Sequence, residues 1–122
     1  MFVSIVMWDL KKSEATVESL RDYLRDYAVE AYSNLDGMRL KAWFSDARRQ
    51  LWGAVYLWDR PDQMPGLYNV SRVVDIIGYP PTSVGGFALE ATAEGNSVHD
   101  TLAGLGLALE GGAPEPGPVD SP

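Results

Sequence analysis

Between Gly37 and Asp59 the chain reads Gly-Met-Arg-Leu-Lys-Ala-Trp-Phe, a polar turn, then Leu-Trp-Gly-Ala-Val-Tyr-Leu-Trp-Asp. Two extended runs joined by so short a connection form neighbouring strands. Alternation at period two sorts their side chains onto opposite faces. Met38, Leu40, Ala42 and Phe44 share one face of the first strand, and Arg39, Lys41, Trp43 and Ser45 share the other. On the second strand Leu51, Gly53, Val55 and Leu57 alternate with Trp52, Ala54, Tyr56 and Trp58. One face is aliphatic. The other mixes aromatic rings with two cations, which suits a ligand cavity or a subunit interface.

The flanking segments place this hairpin in a fold. Phe2 to Trp8 is apolar and rich in β-branched residues, as a buried strand would be. Ser13 or Thr16 is a helix cap, and Val17, Leu20, Leu24, Tyr27, Ala28, Ala31 and Leu35 recur at helical spacing. Asp36-Gly37 ends that helix, with Gly37 taking the left-handed conformation. Asp59-Arg60-Pro61-Asp62 starts a second helical region, interrupted by Pro65-Gly66 and resumed over about 68–77. Ser83 to Ala91 reads as a fourth strand, and Asn96 to Leu109 as a weak terminal helix opposed by Gly104 and Gly106. The order β-α-β-β-α-β implies a ferredoxin-like α+β domain over 1–110: a four-stranded antiparallel sheet with both helices on one face. The helices are expected on the aliphatic face, leaving the aromatic one for a second copy to cover. Residues 111–122 are rich in Gly, Pro and acidic side chains and are expected to form a disordered tail.

Composition excludes several function classes. The formal charge of −7 argues against nucleic acid or an anionic membrane as the partner. The chain has no cysteine, which removes thiolate chemistry and zinc-thiolate sites. His99 is the only histidine and has no second ligand at metal spacing, so no metal site is expected. Gly85-Gly86 lies inside a strand rather than opening a helix, so flavin and nicotinamide sites have no support and no cofactor is expected. No basic segment precedes an apolar run at the N-terminus, and a cytoplasmic location is the expectation.

Lys41-Ala42-Trp43, the polar turn, and Gly53-Ala54-Val55-Tyr56-Leu57-Trp58 together resemble the signature of the YdhR-type monooxygenases. The pattern fits without a gap from Gly37 to Trp58. Ala54 replaces the pattern's second glycine, Trp58 its phenylalanine, and Gln50 stands where relatives can carry a histidine. The resemblance implies a dimeric α/β barrel. More loosely, it implies kinship with cofactor-independent monooxygenases of antibiotic biosynthesis.

On this reading the chain is a homodimeric enzyme acting on a hydrophobic aromatic or polyketide-like small molecule. Lys41 would stabilise an enolate or phenolate, or take the proton itself if desolvated. The alternative for Lys41 is a salt bridge across the dimer seam. Tyr56 would exchange a hydrogen bond with the substrate, and Trp43 would position its ring, with Trp52 and Trp8 as further wall residues. Arg39 is a candidate at the rim. Glu90 is a candidate base from the fourth strand, or a strand-end carboxylate paired with an arginine. A redox-neutral cyclase, isomerase or dehydratase, and a non-catalytic binding dimer, stand as the other readings.

Overall fold

The computed structural model describes residues 1–110, so the expected tail at 111–122 lies outside the described residues. Four strands form: β1 (Phe2–Asp9), β2 (Met38–Asp46), β3 (Leu51–Trp58) and β4 (Ser83–Ala88). They make one antiparallel sheet in the order β2-β3-β1-β4. This is the ferredoxin-like arrangement expected from the element order. The fourth strand is three residues shorter than its apolar run suggests, because pairing with β1 ends at Phe2↔Ala88.

The first helical region is one rod of three stretches: α1 (Val17–Tyr23), a π turn (Leu24–Ala28) and α2 (Val29–Ser33). Thr16 caps it. Its hydroxyl accepts the Ser19 N–H at 3.1 Å, and the Ser19 hydroxyl accepts the Thr16 N–H at 2.9 Å. At the π turn the Val29 N–H reaches back to the Leu24 carbonyl, five residues away. The wider turn holds Leu20, Leu24, Ala28 and Tyr32 on one buried face at a spacing of four. An uninterrupted 3.6-residue period points instead to Ala31 and Leu35, and those two are only partly buried.

The second helical region splits. A 3₁₀ stretch (Pro61–Asn69) contains Pro65, which has no N–H to donate, and α3 (Val73–Ile77) follows and ends on Gly78 at φ 103°. The expected terminal helix does not form. Gly104 and Gly106 both adopt positive φ, and only a 3₁₀ turn at Leu107–Leu109 remains. That turn docks on the first helix, where the Arg25 guanidinium donates to the Ala108 carbonyl at 3.5 Å.

The helices cover the aromatic face of the sheet, not the aliphatic one. Ser4, Trp8, Trp52, Ala54, Tyr56 and Trp58 are buried against Leu20, Leu24, Ala28 and Tyr32. Ile5, Leu40, Phe44 and Phe87 stand on the opposite face with 37–55% of their surface exposed. The physical reason is area. Each indole or phenol ring has more apolar surface to remove from water than a Val or Leu, so burial within the chain goes to the rings. Polar tips on that face find partners: the Trp58 N–H donates to the Ser4 hydroxyl at 3.1 Å, and the Trp8 N–H donates to the Tyr79 carbonyl at 2.9 Å.

A β-bulge between Met38 and Leu40 breaks strict alternation on β2. Met38 pairs with Trp58 and joins the covered core, whereas Arg39 turns outward toward Asp59, 3.5 Å away.

Candidate active site

Past the bulge, Lys41 pairs with Tyr56 and Trp43 with Ala54, so Lys41, Trp43 and Tyr56 project from one patch of sheet toward the helix. Tyr32 comes down from α2 to meet them. The Lys41 Nζ lies 3.5 Å from the Tyr32 ring centroid, 4.3 Å from Tyr56 and 4.5 Å from Trp43. Tyr32 meets Trp43 edge to face at 5.6 Å, and Tyr56 stacks on Trp58 at 5.5 Å. The amine is thus enclosed by three rings. It makes no ion pair among the described residues, and it lies on the face of the sheet that the helices cover.

Burial without a counter-ion disfavours the ammonium form. It pulls the Lys41 pKa from 10.5 down to about 6, which makes the free amine the resting form at neutral pH. The same burial pushes the Tyr56 and Tyr32 phenols upward, so both remain protonated donors. The Tyr32 hydroxyl is buried and has no hydrogen-bond partner. The Ser71 and Tyr56 hydroxyls lie close enough to ease its ionisation slightly but do not reach bonding geometry. A buried phenol left unpartnered is costly, and a ligand oxygen would satisfy it.

A cavity of about 10 Å³ lies between sheet and helix, lined in part by Lys41, Tyr32, Tyr56 and Trp43, with Trp8 and Trp52. That is room for about one water. A much larger open groove of about 1560 Å³ runs along β2 and beneath the chain at Leu102–Leu109. Lys41, Tyr32, Trp43 and Trp52 line both spaces. Only at the smaller cavity do the amine and both phenols converge.

The structure therefore brings together Lys41, Tyr56, Trp43, Trp52 and Trp8. Arg39 stays outside, on the groove wall beside Asp59. Glu90 is exposed beyond the end of β4 and lines neither space. His99 is exposed as well, and no group of metal-binding side chains occurs among the described residues. Tyr32 is the residue that sequence reasoning missed. The signal for it was the four-residue spacing Leu20, Leu24, Ala28, Tyr32, which marks a helix face only when a π turn is allowed for.

No protein-family model matches this chain, and neither does any curated protein. Among solved structures it is similar to two putative antibiotic biosynthesis monooxygenases. The one from Chloroflexus aurantiacus is 15% identical and covers 76% of this chain and 96% of its own, with a TM-score of 0.52. The one from Deinococcus radiodurans is 19% identical and covers 81% of this chain and 100% of its own, with a TM-score of 0.44. The likeness to the first establishes the shared α+β ferredoxin-like fold.

Proposed function

We propose that this protein is a monooxygenase-like enzyme that works on a hydrophobic aromatic or polyketide-like molecule without a bound cofactor, with Lys41 as its base. The observation that carries this reading is the counter-ion-free Lys41 amine inside the Tyr32, Tyr56 and Trp43 rings. A neutral amine can take a proton from an acidic methylene or phenol. The ammonium so formed sits over three π faces that stabilise it only once it is charged. The carbanion or phenolate left behind is the electron-rich species that reacts with oxygen. In the overall step a CH₂ becomes C=O, one oxygen atom enters the product, and the other leaves as water with the two hydrogens. Tyr32 and Tyr56, held protonated, would hydrogen-bond the developing oxyanion. Trp43 would stack on the ring system. The Chloroflexus aurantiacus structure of like fold is described as a putative antibiotic biosynthesis monooxygenase, which fits this reading.

The assembly we propose is a homodimer closed through the open sheet face. Ile5, Leu40, Phe44 and Phe87 expose a contiguous apolar surface there, and a second copy offers a matching one.

The test of function is oxygen uptake with a panel of polycyclic phenols bearing an acidic methylene. One oxygen should be consumed per product formed. Lys41→Met should lower turnover by about 100-fold, the scale of losing one preorganised group. Equal turnover by Lys41→Met and the parent would refute the assignment.

A further inference from the structure

We propose a second, oxygen-independent reactivity at the same lysine: Lys41 is a nucleophilic amine that forms a Schiff base with the aldehyde or ketone end of a hydrophobic molecule lying in the β2 groove. Three observations converge on it. The Nζ has rings rather than carboxylates around it, so nothing among the described residues ties up its lone pair. The Tyr32 ring lies against the amine, and its buried hydroxyl has no partner and stays protonated, so it is a donor free for a ligand oxygen. The smaller cavity of about 10 Å³ has room for little more than a carbonyl group, whereas the groove has apolar walls at Leu24, Leu40, Leu102 and Leu105. The ligand would place its carbonyl in the first and its chain along the second, passing between the Tyr32, Lys41, Trp43 and Trp52 side chains that line both.

The step balances without a redox partner. The Nζ lone pair forms a bond to the carbonyl carbon, and the carbonyl π pair moves to oxygen, which takes the Tyr32 proton. An Nζ proton returns to the Tyr32 phenolate. The hydroxyl then takes the Tyr32 proton a second time, the C–O bond breaks as the nitrogen pair closes C=N, water departs, and the iminium N–H returns its proton to the Tyr32 phenolate. Amine plus carbonyl gives imine plus water. Protonation gives an iminium cation, which takes the place of the ammonium over the Tyr32, Trp43 and Tyr56 rings. An iminium withdraws electrons from the adjacent carbon, which opens redox-neutral enamine chemistry such as decarboxylation or ring closure.

The experiment is reductive trapping on the full chain. The protein is incubated at pH 7 with 2-heptanone or cinnamaldehyde, reduced with cyanoborohydride, and mapped by peptide mass. The chain has only two other lysines, Lys11 and Lys12, both exposed between β1 and α1, so the sites separate cleanly. One adduct of probe mass less one oxygen is expected on Lys41, formed about 100-fold faster than on Lys11 or Lys12, which stand exposed and line neither the cavity nor the groove. Tyr32→Phe should slow trapping about tenfold with Lys41 still the labelled site, as loss of a general acid would. Labelling confined to Lys11, Lys12 and the N-terminus, while the urea-unfolded chain labels Lys41 too, would overturn the proposal. The wild-type map decides the matter even where a variant fails to fold. Oxygen uptake without a trapped adduct would leave the base role standing and remove this one; an adduct without uptake would do the reverse.

Discussion

Replacing Lys41 by methionine should make the protein more stable at neutral pH, and the gain should vanish as pH rises. Lys41 titrates near 10.5 in the unfolded chain and at about 6 when folded. Between those values the unfolded state binds a proton that the folded state rejects, so wild-type stability rises with pH across that window. The full interval corresponds to roughly 6 kcal/mol, of which about 4–5 kcal/mol applies at pH 7. Methionine fills a similar volume with no charge to desolvate. For a domain of this size the gain is a rise in melting temperature of about 10 °C or more at pH 6–7. It should shrink by about 1.4 kcal/mol per pH unit and be gone near pH 10. The assay is a series of thermal melts of both proteins at pH 6, 7, 8, 9 and 10, read as differences so that other titrating groups cancel. A pH-independent difference, or a wild type more stable at pH 7, would refute the free-amine assignment. The expected result would show a lysine held in place against stability, which points to a functional role.

The rate should follow the same group. With Lys41 as base, kcat/KM for a phenolic substrate should rise with pH through about 6 and then level off; a profile still climbing at pH 10 would remove Lys41 from that role. Phe44→Asp on the open sheet face should give a folded monomer by light scattering, whereas an unchanged dimer mass would place the interface elsewhere. Gly53→Ala should cost about 1–3 kcal/mol in a denaturant melt. A Cβ there would fall 2.5 Å from the Phe44 ring and 2.6 Å from the Val6 carbonyl, so an unchanged midpoint would contradict that packing.

The hairpin pattern from Gly37 to Asp59 carried most of the fold. It identified the paired strands, and with the apolar runs at Phe2 and Ser83 it gave the whole strand order. Local signals held in part: Thr16 caps its helix and Gly37 takes the left-handed φ of 81°, but the helix already ends at Ser33, ahead of Asp36-Gly37, and the weak terminal helix gives way to Gly104 and Gly106. Alternation placed Lys41, Trp43 and Tyr56 together, because it depends only on backbone geometry. It could not say which face the helices take, since both faces of β3 are apolar and the choice rests on total buried area. Tyr32 stayed hidden for a different reason. Its place in the site depends on a change of helical period at Leu24–Ala28, and nothing local to those five residues announces a π turn.

That π turn also sets how much length the chain can lose. A π turn accommodates one residue more than an α-helix spanning the same gap. Asp26 is exposed on this turn, and removing it would let the rod close to ordinary bonding while Tyr32 keeps its position above Lys41. Removing a residue from Val29 to Ala31 instead would rotate Tyr32 by about 100° and carry its ring off the amine. Single-residue deletions in a helix are ordinarily ruinous wherever they fall. Here the slack is stored in one place, and the chain can shorten there without disturbing the site below.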